Sequence, residues 1–269
     1  MLPNTAQFRF YAELNDFLPP DKKQRTFDYT FGGHPAVKDA VEALGVPHPE
    51  IDLIVADGES VDFQYHLRDG DRVAVYPVFE GLDITPLVRL RPEPLRRSAF
   101  VLDEQLGKLA RNLRMLGFDT HYQNKTADKE IIRNADQDKR IILTRDRSLL
   151  KNSRITRGYW VRSADPDTQI REVLQRFNLF GHIHPLTRCL ACNTVVEKAD
   201  KQSVRNRLLP GTQDRHWDFY QCPSCGKLYW EGSHVRRMRA KIAAWMAQVN
   251  DPPPEAVALR LPAEPGGLK

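Results

Sequence analysis

Three aspartates and four cysteines carry the residue types and spacings that could do chemistry in this chain. Asp103 and Asp146 each close a short apolar run, Phe100-Val101-Leu102 and Ile141-Ile142-Leu143-Thr144. Asp128 opens a stretch, Thr126 to Lys139, with Ala127, Ile131, Ile132 and Ala135 at helical spacing. Acids converging with no lysine between them repel one another, and a hard divalent cation with oxygen ligands relieves that repulsion. The cysteines form Cys189-x-x-Cys192 and Cys222-x-x-Cys225, two knuckles that suit a four-thiolate tetrahedral zinc site. With all four positions filled such a zinc is structural, because a catalytic zinc keeps one position open. A thioredoxin-like redox role for one pair is the alternative, but two pairs with no cysteine left over argue against it.

The elements that must position these residues follow from periodicity. Leu106, Leu109, Ala110, Leu113 and Leu116 form one apolar helical stripe that ends at Gly117, a residue suited to a left-handed cap. The opposite face is expected to carry Lys108, Arg111 and Arg114 to solvent. Runs as short and apolar as those before Asp103 and Asp146 read as buried strands, and crossover helices make such strands parallel. Both acids then emerge on the carboxyl edge of one sheet, where open α/β sheets bind ligands. Gly158 to Arg162 predicts a further strand and Asp165 to Leu179 a further helix, giving a doubly wound layer architecture with helices on both faces. An aspartate at a strand end or helix start is also an ordinary backbone cap. That second reading applies most directly to Asp165, the fourth acid along the chain.

Phe100 to Leu150, especially LDEQLGKLARNLRMLGFDT and IILTRDRSLL, resembles the Mut-seven carboxy-terminal ribonuclease family, a branch of the PIN-like nucleases. The resemblance extends through RCLACN and CPSCGKLYWEGSHVRRM. It implies a metal-dependent ribonuclease in which Asp103, Asp128 and Asp146 hold Mg²⁺ or Mn²⁺, with Asp165 as a candidate fourth acid. RNA rather than DNA rests on that resemblance alone. Metal-assisted attack of water on the phosphodiester is the expected chemistry. Lys108, Arg111 and Arg145 are candidate phosphate clamps, although long cations commonly just cover helix faces.

The first 81 residues read differently. Phe8 and Phe10, then Phe27, Tyr29 and Phe31, alternate as half-buried strands. A helix follows through Val37, Val41 and Leu44, then strands at Ile51 to Ala56, Val61 to Leu67 and Arg72 to Pro77. This order describes a β-grasp (ubiquitin-like) domain, and ADGESVDFQYHLRDGDRVAVYPVFEG is similar to the small sulfur carriers of thiamine and molybdopterin synthesis. Those carriers act through a free C-terminal Gly-Gly. Here Gly81 runs on into more protein, so that chemistry is closed, and the segment is expected to bind a protein partner or pack on the nuclease.

The expected organisation is therefore a β-grasp domain at 1–81, a basic proline-containing linker at 82–97 and a PIN-like α/β/α domain at 98–185. A zinc ribbon at 186–240 follows, then a helix end and a disordered Pro-rich tail at 241–269. Trp217, Phe219, Tyr220, Tyr229 and Trp230 interleave with Arg215, Lys227, Arg236, Arg237 and Arg239, a mixture suited to base stacking and phosphate contact. The same aromatics could instead fill the ribbon's thin core. His216 and His234 are not needed as ligands while four cysteines suffice.

Charge divides along the same line. Residues 1–81 carry 7 Lys and Arg against 14 Asp and Glu, a net of −7, and the remainder 33 against 21, a net of +12. The basic part suits a polyanion, and the acidic front could shield it. No run of about 18 apolar residues predicts a membrane span, and no basic-then-apolar leader opens the chain. A cytoplasmic protein is expected. A non-catalytic RNA-binding adaptor with a PIN-like fold, and a partner-binding scaffold, are the competing readings.

Overall fold

A computed structural model describes residues 3–77, 90 and 98–247. The expected linker, apart from Leu90, and the expected Pro-rich tail lie outside the described residues.

In the N-terminal part the alternation of Ala6, Phe8 and Phe10 with exposed Gln7 and Arg9 puts one face of β1 (Asn4–Phe10) into the core. β2 (Phe27–Phe31) pairs antiparallel with it. α1 (Val37–Ala43) lays Val37, Ala40 and Val41 over the same core. β3 (Ile51–Ala56), β4 (Glu59–Val61) and β5 (Arg72–Pro77) complete a sheet of order β2-β1-β5-β3-β4, with β1 and β5 parallel. This is the ubiquitin-like arrangement. β3 and β4 join through Asp57-Gly58, both at positive φ, as an Asp-Gly hairpin favours. One expected element is shorter than its pattern. The Val61 to Leu67 strand stops at Val61, because the Asp62 carboxylate accepts the Gln64 N–H at 2.9 Å and turns the chain.

The central sheet is formed by β6 (Phe100–Leu102), β7 (Thr120–His121), β8 (Ile141–Thr144) and β9 (Gly158–Trp160), all parallel, in the order β7-β6-β8-β9. α2 (Gly107–Met115) and α5 (Pro166–Arg176) cover one face with Leu109, Leu113, Ile170 and Val173 against Phe100, Leu102, Ile141 and Leu143. α3 (Asp128–Gln137) and α4 (Arg147–Leu150) cover the other with Ile131, Ile132, Leu149 and Leu150 against Val101 and Ile142. Burying each such aliphatic side chain contributes about 1.5–3 kcal/mol, which is why β6 and β8 carry no polar residue until their carboxyl ends. At the end of α2, Gly117 has φ +94, and a Cβ there would collide with the His184 carbonyl.

The cysteine-bearing part adds β10 (Glu197–Ala199), α6 (Lys201–Val204), α7 (Pro210–Arg215), β11 (Phe219–Gln221) and β12 (Leu228–Trp230). The three strands are antiparallel, over a small core of Val204, Leu208 and Phe219. The segment between the two knuckles thus folds as β10, α6, α7 and β11. α8 (Ser233–Ala247) then returns to the central domain, where Ile242 and Trp245 join its core and the Lys241 ammonium lies 2.7 Å from Asp167.

The acidic N-terminal part packs on the β9 edge. Phe17 meets Trp160 with ring centroids 5.2 Å apart, and the His48 Nε2–H donates to the Ile155 carbonyl at 2.7 Å. Glu50, with no exposed surface, accepts the Trp160 N–H, while Asp16 pairs with Arg162 at 2.7 Å and Glu13 with Arg176 at 3.5 Å. Burial pushes the Glu50 carboxyl above its ordinary pKa, against the pull of Arg162 and Arg176. Among the described residues, no helix is long and apolar enough to cross a membrane.

Candidate functional site

The strand order reverses between β6 and β8: the chain moves one way to β7 and the other way to β9. Open α/β sheets bind ligands at such a switch point, beyond the carboxyl ends of the strands. Asp103 follows β6, and Asp146 lies two residues beyond β8. The Thr144 hydroxyl donates to Asp103 Oδ2, and Thr144 Oγ1 accepts the Asp146 N–H at 2.8 Å. One buried threonine therefore links the two acids across neighbouring strands. Asp103 is 7% exposed and also accepts the Gln105 N–H on Oδ1 and the Arg145 N–H on Oδ2, each at 3.0 Å. Asp146 is exposed, and its Oδ1 takes the N–H and hydroxyl of Ser148 at 2.7 and 2.6 Å. The Ser148 hydroxyl in particular holds the Asp146 carboxyl below its usual range, against a smaller opposing effect of burial.

Asp128 is the first residue of α3 and exposed, with no hydrogen-bond or ion-pair partner among the described residues. The three acids do not converge into one ion-sized cluster. Among the described residues the cysteines are the only such group. Asp165 caps α5 by accepting from Asp167 N, Thr168 N and the Thr168 hydroxyl, and these bonds lower its pKa. As donors the carboxylates still suit a hard cation. Every oxygen is a carboxylate oxygen, and lone pairs remain on Asp103, Asp146 and Asp128 after the bonds above.

The expected clamps differ in their freedom. Lys108 and Arg111 are exposed on α2. The Arg145 guanidinium donates to the carbonyls of Arg162 (3.3 Å) and Ser163, which ties it to the loop after β9. Arg114 was expected at the solvent face but is 5% exposed. It donates to the carbonyls of Thr120 (3.0 Å), Leu190 (3.3 Å) and Ala191 (2.9 Å), fastening the first knuckle to α2. The sequence did hold a signal, since Arg114 lies four residues after Ala110 and three before Gly117, on the buried stripe. Thr144 and Arg147 were not singled out either. A threonine ending a buried run just before the acid, and an arginine just after it, were the available signs.

The four sulfurs lie within 4.8 Å of one another, with Cys189 and Cys225 at 3.5 Å and Cys192 and Cys222 at 3.3 Å. Zinc–sulfur bonds of about 2.3 Å in a tetrahedron require sulfur separations close to these, so the set can hold a metal such as zinc. The Tyr229 hydroxyl donates to Cys189 Sγ at 3.1 Å, an orienting contact of the kind that surrounds metal ligands. Burial raises the Cys192 thiol, but hydrogen bonds, foremost with Thr194, outweigh it and bring it down to about 6. Beside the cluster, a cavity of about 500 Å³ between the ribbon strands and α8 is lined by Leu186, Tyr220, Tyr229, Trp230, Val235 and Met238. The aromatics are divided between roles: Phe219 is fully buried, Trp217 is 76% exposed with the Lys201 ammonium 3.7 Å from its ring centre, and Tyr220 is 42% exposed.

A four-stranded parallel sheet with linked acids at its switch point, a ubiquitin-like fold before it and a four-cysteine cluster after it define a multidomain α/β protein. Residues 98–242 match the family described as the Mut7-C RNAse domain, and the chain belongs to that family. Residues 3–83 match the Mut7-C ubiquitin family. The chain is also similar to a solved structure, SAMP1 from Haloferax volcanii, at 20% identity and a TM-score of 0.24, over 29% of this chain and 100% of that one. No curated protein matches it.

Proposed function

We propose that this protein is a cytoplasmic, metal-dependent ribonuclease whose acid site is built from Asp103, Asp146 and Asp128. The observation that carries the proposal is the Asp103–Thr144–Asp146 link at the switch point of the parallel sheet, in a family described as an RNAse domain. Asp103 and Asp146 hold Mg²⁺ or Mn²⁺, with Asp128 completing the set from the start of α3. A bound ion of this kind lowers the pKa of water and stabilises charge on the attacking and leaving oxygens. The chain's own part is to fix the acids. Thr144 and Ser148 orient the carboxylates, Ser148 also holds that of Asp146 below its usual range, and Lys108 and Arg111 offer charge to the phosphate backbone. Asp165 serves as a helix cap.

The division into a β-grasp domain at 1–81, a PIN-like domain at 98–185 and a zinc ribbon at 186–240 belongs to the same reading, with α8 tying ribbon to nuclease. Zinc in the cysteine cluster is structural. The ribbon and the basic α8 assist RNA binding through Trp217, Tyr220 and the neighbouring cavity. Free thiols gathered for a metal fit a reducing compartment.

The test is cleavage of a mixed pool of structured and single-stranded RNA by the full chain with Mg²⁺, Mn²⁺ or EDTA, alongside Asp146→Asn. Metal-dependent cutting that the variant loses supports the site. The competing reading, RNA binding without cleavage, is favoured by one observation: the acids' oxygens already cap backbone and do not share one cluster. Equal RNA binding by both proteins with no cutting by either would establish it.

A further inference from the structure

Among the arginines of the β9 edge, two are paired with carboxylates and a third is tied to backbone carbonyls. Arg162 pairs with Asp16 at 2.7 Å and also donates to the Trp160 carbonyl at 2.9 Å and the Glu13 carbonyl at 3.3 Å. Arg176 pairs with Glu13, and Arg145 donates to two backbone carbonyls. Arg147 differs. Its guanidinium carbon lies 3.7 Å from the ring centre of Trp160 and 5.2 Å from that of Phe17. Among the described residues it has no carboxylate within ion-pair distance and no hydrogen-bond acceptor. The charges facing it are Arg162, which repels it, and Asp16, which is already paired with Arg162. It directly follows Asp146 and opens α4.

A half-buried cation without a counter-ion is costly, and two aromatic faces hold a guanidinium in place without cancelling its charge. Its N–H donors stay available to an anion that offers two acceptor oxygens, as a phosphodiester does. The aromatic walls come from both sides of the domain seam, Trp160 from β9 and Phe17 from the ubiquitin-like part.

We propose that Arg147, stacked on Trp160 with Phe17 alongside, binds a phosphodiester group of the RNA strand beside Asp146, so that the ubiquitin-like domain completes the substrate site of the nuclease. Phe17 is then a positioning residue. The acidic domain pairs with Arg162 and Arg176 and leaves Arg147 without a carboxylate partner among the described residues. This rests on the ribonuclease reading for the identity of the anion, but binding tests it apart from cleavage.

The experiment measures binding of a labelled single-stranded RNA to the full chain in EDTA, across a range of salt, for wild type, Arg147→Ala, Arg147→Lys, Phe17→Leu and Phe17→Tyr. Inorganic phosphate and a mononucleotide serve as competitors. Arg147→Ala is expected to weaken binding about tenfold or more and to reduce the logarithmic salt slope by about 0.7, the value for one contact to a single strand. Arg147→Lys restores the slope. Phe17→Leu, which keeps the apolar bulk, weakens binding severalfold with its melting temperature tracked alongside, and Phe17→Tyr restores it. Competition by free phosphate that disappears in Arg147→Ala supports a phosphate site; competition by the mononucleotide alone would assign the contact to the base and overturn it. An unchanged affinity and slope in Arg147→Ala, with only a lowered melting temperature, would reduce Arg147 to packing across the seam. Arg147-dependent binding without any metal-dependent cutting leaves the anion site standing while the nuclease reading falls.

Discussion

The cysteine cluster and the acid edge are both candidate metal sites, yet they stand in opposite states of assembly. The four sulfurs sit within 4.8 Å of one another. Each pair comes from a single tight turn, and the backbone N–H groups of those turns, with the Tyr229 hydroxyl, already face sulfur. The acids come from the ends of β6 and β8 and the start of α3. Only Asp103 and Asp146 are linked, and Asp128 stands apart. Local turns bring soft ligands together within a few residues of chain. Carboxylates from three distant elements repel one another, and no local turn draws them together.

That contrast can be broken most forcefully at the thiolates. Structural zinc in such sites contributes about 10–16 kcal/mol of apparent binding free energy at pH 7. Cys222→Ser, or chelation of the wild type, should therefore release one zinc per chain and unfold residues 186–240, read by metal analysis and hydrogen exchange. A purified chain without metal whose exchange ignores a chelator would sink the zinc assignment.

The acid edge should respond the other way, in rate and hardly in fold. Asp103→Asn is expected to lower cleavage on the order of 10²-fold to 10³-fold, the scale of losing one charge-stabilising group, while the melting temperature moves little. A large collapse in stability with unchanged specific activity would make Asp103 a structural cap.

Ser148→Ala sharpens the picture of Asp146. Its folded pKa is depressed, so the ionised carboxylate's contribution is present above the unfolded pKa and lost as pH falls through the lowered value. Removing the Ser148 hydroxyl raises that value, and the acid limb of the pH–rate profile should shift to higher pH. A limb that stays in place would detach Asp146 from the rate.

The smallest effect belongs to Asp165→Ala, which should cost about 1 kcal/mol of stability as a lost N-cap and leave the rate unchanged. A rate loss matching that of Asp103→Asn would instead make Asp165 a fourth ligand.

Several features were legible in the chain before any coordinates. Apolar runs ending at Asp103 and just before Asp146 gave parallel strands because buried strands must be continuously apolar. The knuckle spacing gave the thiolate set because two cysteines three apart face one ion from one turn. The alternation through Ala6, Phe8 and Phe10 gave the ubiquitin-like sheet. These are local patterns, and local geometry follows from sequence separation.

Tertiary structure alone decided the rest. Thr144 became the bridge between two acids only through the parallel register of β6 and β8. Arg114 left solvent for the knuckle carbonyls because the ribbon packs on α2. Ile242 and Trp245 entered the core of the central domain because α8 folds back along α5. The acidic front docked on β9, where Asp16 and Glu13 pair with two arginines of the basic part and Phe17 meets a third. Each outcome depends on which surfaces meet, and residues far apart in the chain leave no periodic trace of meeting.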